Sequence, residues 1–338
     1  MKDESNTSVP SGQEPNLQPS GSSFILQPSA FAHRWWMYQG ERFPVVAHGV
    51  LILAFSSSAV CFSSLLRERT ELPHLLVVTV AFGTAFLFFL QLRIADEFKD
   101  FEEDSRYRPY RAVPRGLVSL RELGVLGVIA AAIQLLLGLA LDPSIVLLLA
   151  VAWIYLALMS KEFFVGEWLK LHPVPYLISH MVIIPLVDFY ATACDWWPAG
   201  QGMPHGLGWF VAASYSNGIV IEIGRKIRAP ADEELGVNTY SAIWGPLPAV
   251  LVWLGALLTT GICATLAAAQ IDFVVPVATV LATMLLTAGV LVCRFLAAPT
   301  KRGSKLIETL AGVWTILLYL SVGAAPLLWR WWTTPLAA

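Results

Sequence analysis

The sequence predicts an all-α polytopic membrane protein of about nine transmembrane helices, on three observations. Of its 338 residues 56% are hydrophobic and only 14% charged, and the mean hydropathy of +0.63 is far too apolar for an ordinary soluble domain. Apolar runs recur at lengths near the ~20 residues a helix needs to cross the hydrocarbon. Lys and Arg gather in alternate connections, as they do in cytoplasmic loops.

Residues 1–32 are rich in Ser, Pro, Gln, Gly and Asn, which bury too little apolar surface to offset chain entropy. A disordered tail is therefore expected ahead of a single domain at 33–338. The tail has no basic stretch leading into an apolar run, so it does not read as a signal peptide. His33, Arg34, Trp35, Trp36, Met37 and Tyr38 suit an aromatic anchor at the membrane interface, and Trp329, Trp331 and Trp332 suit the opposite surface. Between them the expected spans are 44–63, 74–95, 123–141, 143–160, 174–193, 206–222, 246–269, 273–293 and 307–328. Cys61, Cys194, Cys263 and Cys293 fall in or beside separate spans with no C-x-x-C pair, which suggests packing and not zinc or redox chemistry.

With the N-terminus inside, alternation puts all 22 Lys and Arg on the cytoplasmic side except Arg67, Arg69 and Arg330. Shifting the count by one span scrambles that sorting, so both polar loops, after the second and sixth spans, are expected at the cytoplasmic face.

In the first loop Asp96, Asp100 and Asp104 recur every four residues. Four residues at about 100° each advance only about 40° past a full turn, so the three carboxylates share one helical face. Such a stack repels itself unless a cation sits on it. Hard divalent ions such as Mg2+ take carboxylate oxygens, with substrate phosphates completing the shell. Arg106, Arg108, Arg111 and Arg115 follow at once, and guanidinium offers planar, bidentate recognition of phosphate. With Glu97 as an extra acid and Pro109 breaking the helix, the stretch reads as a metal–diphosphate site. The alternative is a charged interfacial loop whose Asp and Arg merely pair with one another.

A second polar cluster follows the sixth span: Glu222, Arg225, Lys226, Arg228, Asp232, Glu233 and Glu234. Four spans separate it from the first, so parity lets the two face each other; the plainer reading is an inside loop with a Glu222–Lys226 helical pair. His180 and Asp188 in the fifth span and Asn217 near the cytoplasmic end of the sixth are costly at membrane depth and are candidate pocket groups. For His180 the plain alternative is a satisfied helix–helix contact.

Two acid-rich, arginine-flanked clusters over an apolar bundle resemble the UbiA superfamily of intramembrane prenyltransferases, which includes terpene cyclases. The family's N-x-x-x-D-x-x-x-D signature is similar to Asp96, Asp100 and Asp104, and its R-P…P-x-G element to Arg108-Pro109 and Pro114-Arg115-Gly116. Asp96 stands where the family has Asn, and Arg228-x-x-x-Asp232 where it has D-x-x-x-D, with Glu222 upstream. The resemblance implies a UbiA-like bundle with Mg2+ held by Asp96, Asp100 and Asp104 and, on the second side, by Glu222, Asp232 and Glu233. It implies an isoprenoid diphosphate bound by Arg108, Arg111, Arg115, Arg225, Lys226 and Arg228, with the three aspartates essential to turnover.

The prenyl group would pass to an aromatic, quinone-precursor or lipid acceptor. A cyclase acting on farnesyl or geranylgeranyl diphosphate without an acceptor is the alternative, and a non-enzymatic transporter a remote one. The expected partners are the isoprenoid diphosphate and membrane lipid, and not nucleic acid.

Overall fold

The computed structural model describes residues 28–333, and every regular element among them is helical. The chain enters through α1 (Pro28–Arg42), so residues 28–32 are helical where a disordered tail was expected; residues 1–27 lie outside the described residues. Docking explains the earlier start. Tyr38 is buried with Ile94, Ala112 and Leu123, Arg34 reaches Glu122 at 2.6 Å, and Arg42 Nε lies 2.5 Å from the buried Glu97 carboxylate. Trp36, on the outer side of α1, stays exposed.

The bundle follows as α2 (Val45–Leu66), α3 (Leu75–Lys99), the short α4 (Phe101–Tyr107) and α5 (Leu120–Leu141). A capping box of Ser119 and Glu122 satisfies the first amides of α5 and starts it three residues before the apolar run. Asp142 then caps a single tight turn into α6 (Val146–Ser160), α7 (Gly166–Leu171), α8 (Pro173–Met181) and α9 (Ile183–Trp196). The fifth expected span is thus two helices. Pro185 cannot donate to the Met181 carbonyl, and the chain bends at Val182.

The second half comprises α10 (Leu207–Gly224), α11 (Tyr240–Trp244), α12 (Pro246–Ala269), α13 (Val274–Ala297), α14 (Lys301–Tyr319) and α15 (Ala325–Thr333). A π turn at Leu320–Ala324 joins the last two into one span. Gly323 lies in that turn because α2 passes too close for any side chain: a Cβ there would sit 2.1 Å from the Ser58 carbonyl oxygen.

Eight helical segments are long and apolar enough to cross a membrane, and α10 is the ninth long helix among the described residues. It is less apolar because Ser214, Ser216, Asn217 and Glu222 turn into the bundle, where α10 packs most extensively on α12. Leu136, Val128 and Leu286 face outward, as lipid contact requires, and the chain is an integral membrane protein. At the end remote from both acidic loops, Arg67 Nη1 lies 2.9 Å from Asp195, which also accepts from Ser63 at 2.7 Å and Ser64 at 3.1 Å. A buried charge pair with its oxygens this well satisfied closes that end of the bundle.

Candidate functional site

The aspartate stack is realised in the backbone. Asp100 N–H donates to the Asp96 carbonyl at 2.9 Å and Asp104 N–H to that of Asp100 at 2.8 Å, so helical bonding runs from α3 into α4. The side chains, however, divide. Asp104 is 1% exposed and clamped between Arg108 at 2.5 Å and Arg111 at 2.7 Å. Asp96, with 41% of its side chain exposed, has only a loose pairing to Arg93 at 3.7 Å. Asp100 has no side-chain hydrogen bond or ion pair among the described residues; burial, and then the charge of Asp96, push its carboxyl above the usual range. The alternative in which Asp and Arg merely pair therefore describes Asp104 and leaves Asp96 and Asp100 open.

Arg115 turns away to Glu41 at 2.6 Å, tying the loop to α1. Glu97 likewise faces α1 and pairs with Arg42 and Arg93.

The second cluster lies opposite. Glu222, 6% exposed, is held by Arg225 at 2.5 Å and Lys226 at 2.7 Å. Glu222 foremost, and then Asp96 on the other side of the site, hold Arg225 in its charged form, which ties the two clusters electrostatically. The loops also touch: Tyr110 donates to Glu234 at 3.0 Å, and Gly236, at φ +76°, lies so close to the Tyr107 ring that a Cβ would come within 2.5 Å of it. Asp232 and Glu233 are otherwise engaged. Asp232 pairs with Lys301 at 3.1 Å and Arg228 at 3.4 Å, and the Lys301 contact holds its carboxyl below the usual range. Glu233 accepts from Thr239 at 2.7 Å and from Ser241 at 2.9 Å, bracing the turn into α11.

Among the described residues no three His, Cys, Asp or Glu side chains converge on one point as a ready metal cage. Asp96 and Asp100 nevertheless fit a hard cation: they are adjacent, underpaired, partly sheltered and mutually repulsive, and substrate phosphate oxygens would complete the shell.

Of the three polar groups in spans, His180 sits beside the acid face. Tyr176 stacks on it at 3.9 Å and accepts a 2.5 Å hydrogen bond from Lys99, the residue before Asp100. Asp188 and Asn217 belong to a different group in the bundle interior: Tyr319 donates to Asp188 at 2.9 Å and contacts Ser214 at 3.2 Å, while Thr315 donates to Asn217 at 3.2 Å.

Sequence reasoning passed over Lys99, Tyr176, Glu162 and Tyr240. Lys99 was visible inside the aspartate period, three residues after Asp96. Tyr176 is one helical turn before His180. Glu162 could not be foreseen: it reaches Lys99 at 3.8 Å from a turn in which Glu162, Phe163 and Phe164 take φ of 48°, 53° and 61°. Three successive left-handed residues without glycine are costly, and such strain is held only where surrounding packing imposes it. Tyr240 lies under Lys226, whose Nζ is 5.8 Å from the ring centroid.

No curated protein sequence matches the chain. Among solved structures it resembles the apo form of a UbiA homolog from Aeropyrum pernix K1, with TM-score 0.63 at 15% identity over 81% of this chain and 96% of that one. It also resembles a digeranylgeranylglyceryl phosphate synthase, with TM-score 0.56 at 16% identity over 86% and 99%. A third is a UbiA homolog from Archaeoglobus fulgidus bound to DMAPP and Mg2+, with TM-score 0.52 at 12% identity over 84% and 98%. At these identities the likeness establishes the fold alone. The UbiA prenyltransferase family itself matches residues 56–306, most of the bundle and both acidic loops, and the chain belongs to that family.

Proposed function

We propose that residues 33–338 act as one catalytic domain, a Mg2+-dependent intramembrane prenyltransferase that ionises an isoprenoid diphosphate and passes its prenyl group to an aromatic, quinone-precursor or lipid acceptor. The observation that carries this reading is the pair Asp96 and Asp100, one turn apart and underpaired, facing Arg225 and Lys226 across the mouth of an apolar bundle. Family membership supports it, as does the Archaeoglobus fulgidus homolog's bound DMAPP and Mg2+. Asp96 and Asp100 would hold Mg2+, which when bound neutralises diphosphate charge and so favours its departure.

The chain's own groups do the rest. Arg225 and Lys226 lie where further negative charge develops on the leaving group, and fixed positive charge there lowers the barrier, each 1.4 kcal/mol being about tenfold in rate. Their pairing with Glu222 holds them in place before substrate arrives. Arg108 and Arg111 are committed to Asp104; they shape the loop and offer only their outer N–H groups to a phosphate. The apolar interior below would keep water from the allylic cation.

The deciding experiment incubates purified full-length protein with labelled geranyl, farnesyl, geranylgeranyl and longer diphosphates, with and without hydroxybenzoate or lipid acceptors, in Mg2+ or EDTA. A Mg2+-dependent adduct is expected. A cyclic hydrocarbon formed without acceptor would make the chain a cyclase, and intact diphosphate throughout would overturn the enzymatic reading.

A further inference from the structure

A proton has to leave whichever way the reaction ends. When the allylic diphosphate ionises, its C–O bond breaks and the diphosphate departs with the electron pair. Attack by a nucleophile on the cation forms the new bond and releases the nucleophile's proton. Ring closure instead releases a proton from a carbon beside the cation, with the C–H electrons forming a double bond. Each turnover thus yields one organic product, one diphosphate and one proton. Water is a poor acceptor here because it would itself capture the cation.

His180, at the end of α8, has the attributes of that acceptor. Its Nδ1 lies 2.9 Å from the Tyr176 carbonyl oxygen, which can only accept; Nδ1 therefore carries the proton, and Nε2 presents a bare lone pair. The residue is 6% exposed, yet Nε2 has no hydrogen-bond partner among the described residues. Leaving a buried acceptor unsatisfied is costly, and such groups call for an explanation.

The ring is sandwiched by aromatics, with Tyr176 stacked at 3.9 Å and 11° and Phe163 edge-on at 5.8 Å and 88°. Aromatic faces of this kind also stabilise cations. Through Tyr176 and Lys99 the ring is linked to the acid face, and the charges that face it are Lys99 and Asp96 of α3 and Glu222 of α10. The left-handed turn at 162–164 is what brings Phe163 against it.

We propose that His180 Nε2 accepts the proton released when the carbocation is quenched, a role that rests on the prenyl-diphosphate reading above. The imidazolium then returns its proton to the departing diphosphate or to solvent as the site opens. The rival account is a structural histidine whose only task is its bond to the Tyr176 carbonyl.

Full-length protein in detergent is given geranylgeranyl diphosphate, Mg2+, a hydroxybenzoate and total polar lipid, and released diphosphate and organic product are measured separately. In His180→Asn the amide N–H can still donate to the Tyr176 carbonyl but no base remains; His180→Gln supplies an acceptor of negligible basicity near the Nε2 position. Both should lower kcat at least tenfold, with KM for the diphosphate within twofold, and should shift product toward the prenyl alcohol formed by water capture. Imidazole should restore turnover to His180→Ala; if that variant does not fold, the Asn and Gln variants decide, with their melting temperatures as the check.

Parental kcat and product in His180→Asn, or a rise in KM alone, would overturn the inference while leaving the prenyltransferase reading intact. A parent enzyme that releases no diphosphate from any prenyl substrate would overturn both.

Discussion

Asp100 and Asp104 are one helical turn apart and have opposite surroundings, so the same substitution should act differently at each. Asp104 is a buried anion between two guanidinium groups, and removing one partner of such a set leaves uncompensated charge at a cost of about 3–5 kcal/mol. Asp104→Asn should lower the melting temperature of the solubilised protein as well as its activity. Asp100→Asn should abolish at least nine-tenths of turnover with no loss of thermal stability. Differential scanning fluorimetry beside the activity assay separates the two, and an equally unstable Asp100→Asn would contradict the division.

The pH dependence follows with its sign. The folded state raises the Asp100 pKa above its ordinary 3.8, so metal-free protein binds that proton more tightly than the unfolded chain does. Its contribution is present at lower pH and is lost as pH rises through the Asp100 titration. In chelator, stability should fall over that interval, and Asp100→Asn should remove that component. Glu222 shows why such distinctions were illegible in the sequence: spacing gave its pairing with Lys226, but a one-dimensional pattern does not say which carboxylates are neutralised and which left open.

At the scale of elements, hydropathy located the spans but not their interruptions. The fifth span divides at Val182 because Pro185 removes a donor, a local signal that apolar length does not register, and the last carries a π turn where α2 passes too close for a side chain. The π turn supplies a test. Gly323→Ala would drive a methyl to 2.1 Å from the Ser58 carbonyl oxygen, a backbone atom that cannot rotate away. Overpacking of this kind costs ~1–3 kcal/mol or more, so a sharp fall in melting temperature is expected. Gly312→Ala on α14 meets no atom within 4 Å and serves as the control, expected to be neutral or slightly stabilising. Equal melting temperatures for the two variants would show that α2 and the π turn are not in rigid contact.

For the whole molecule, counting helices was enough to bring the two charged loops to one end, and the Tyr110–Glu234 and Tyr107–Gly236 contacts are the physical form of that count. Parity alone does not say which membrane face that end occupies; we propose the cytoplasmic one, on the sorting of Lys and Arg. Among the 22 basic residues, those placed away from the charged loops include Arg67 and Arg330, and both are neutralised or capped locally: Arg67 by Asp195 and Arg330 by the Ile271 carbonyl at 2.6 Å. Most of the 22 basic residues lie at the charged-loop end, the distribution expected of a cytoplasmic face, where soluble prenyl diphosphates would be met. In a background with Cys61, Cys194, Cys263 and Cys293 replaced by Ala or Ser, single cysteines at Glu103, Lys301 and Arg69 report on both ends. The first two sites should react with a membrane-impermeant maleimide only after permeabilisation, and Arg69→Cys should react in intact cells. Labelling in the reverse order would put the diphosphate site outside, and the prenyl donor would then have to reach it from the lipid or the exterior.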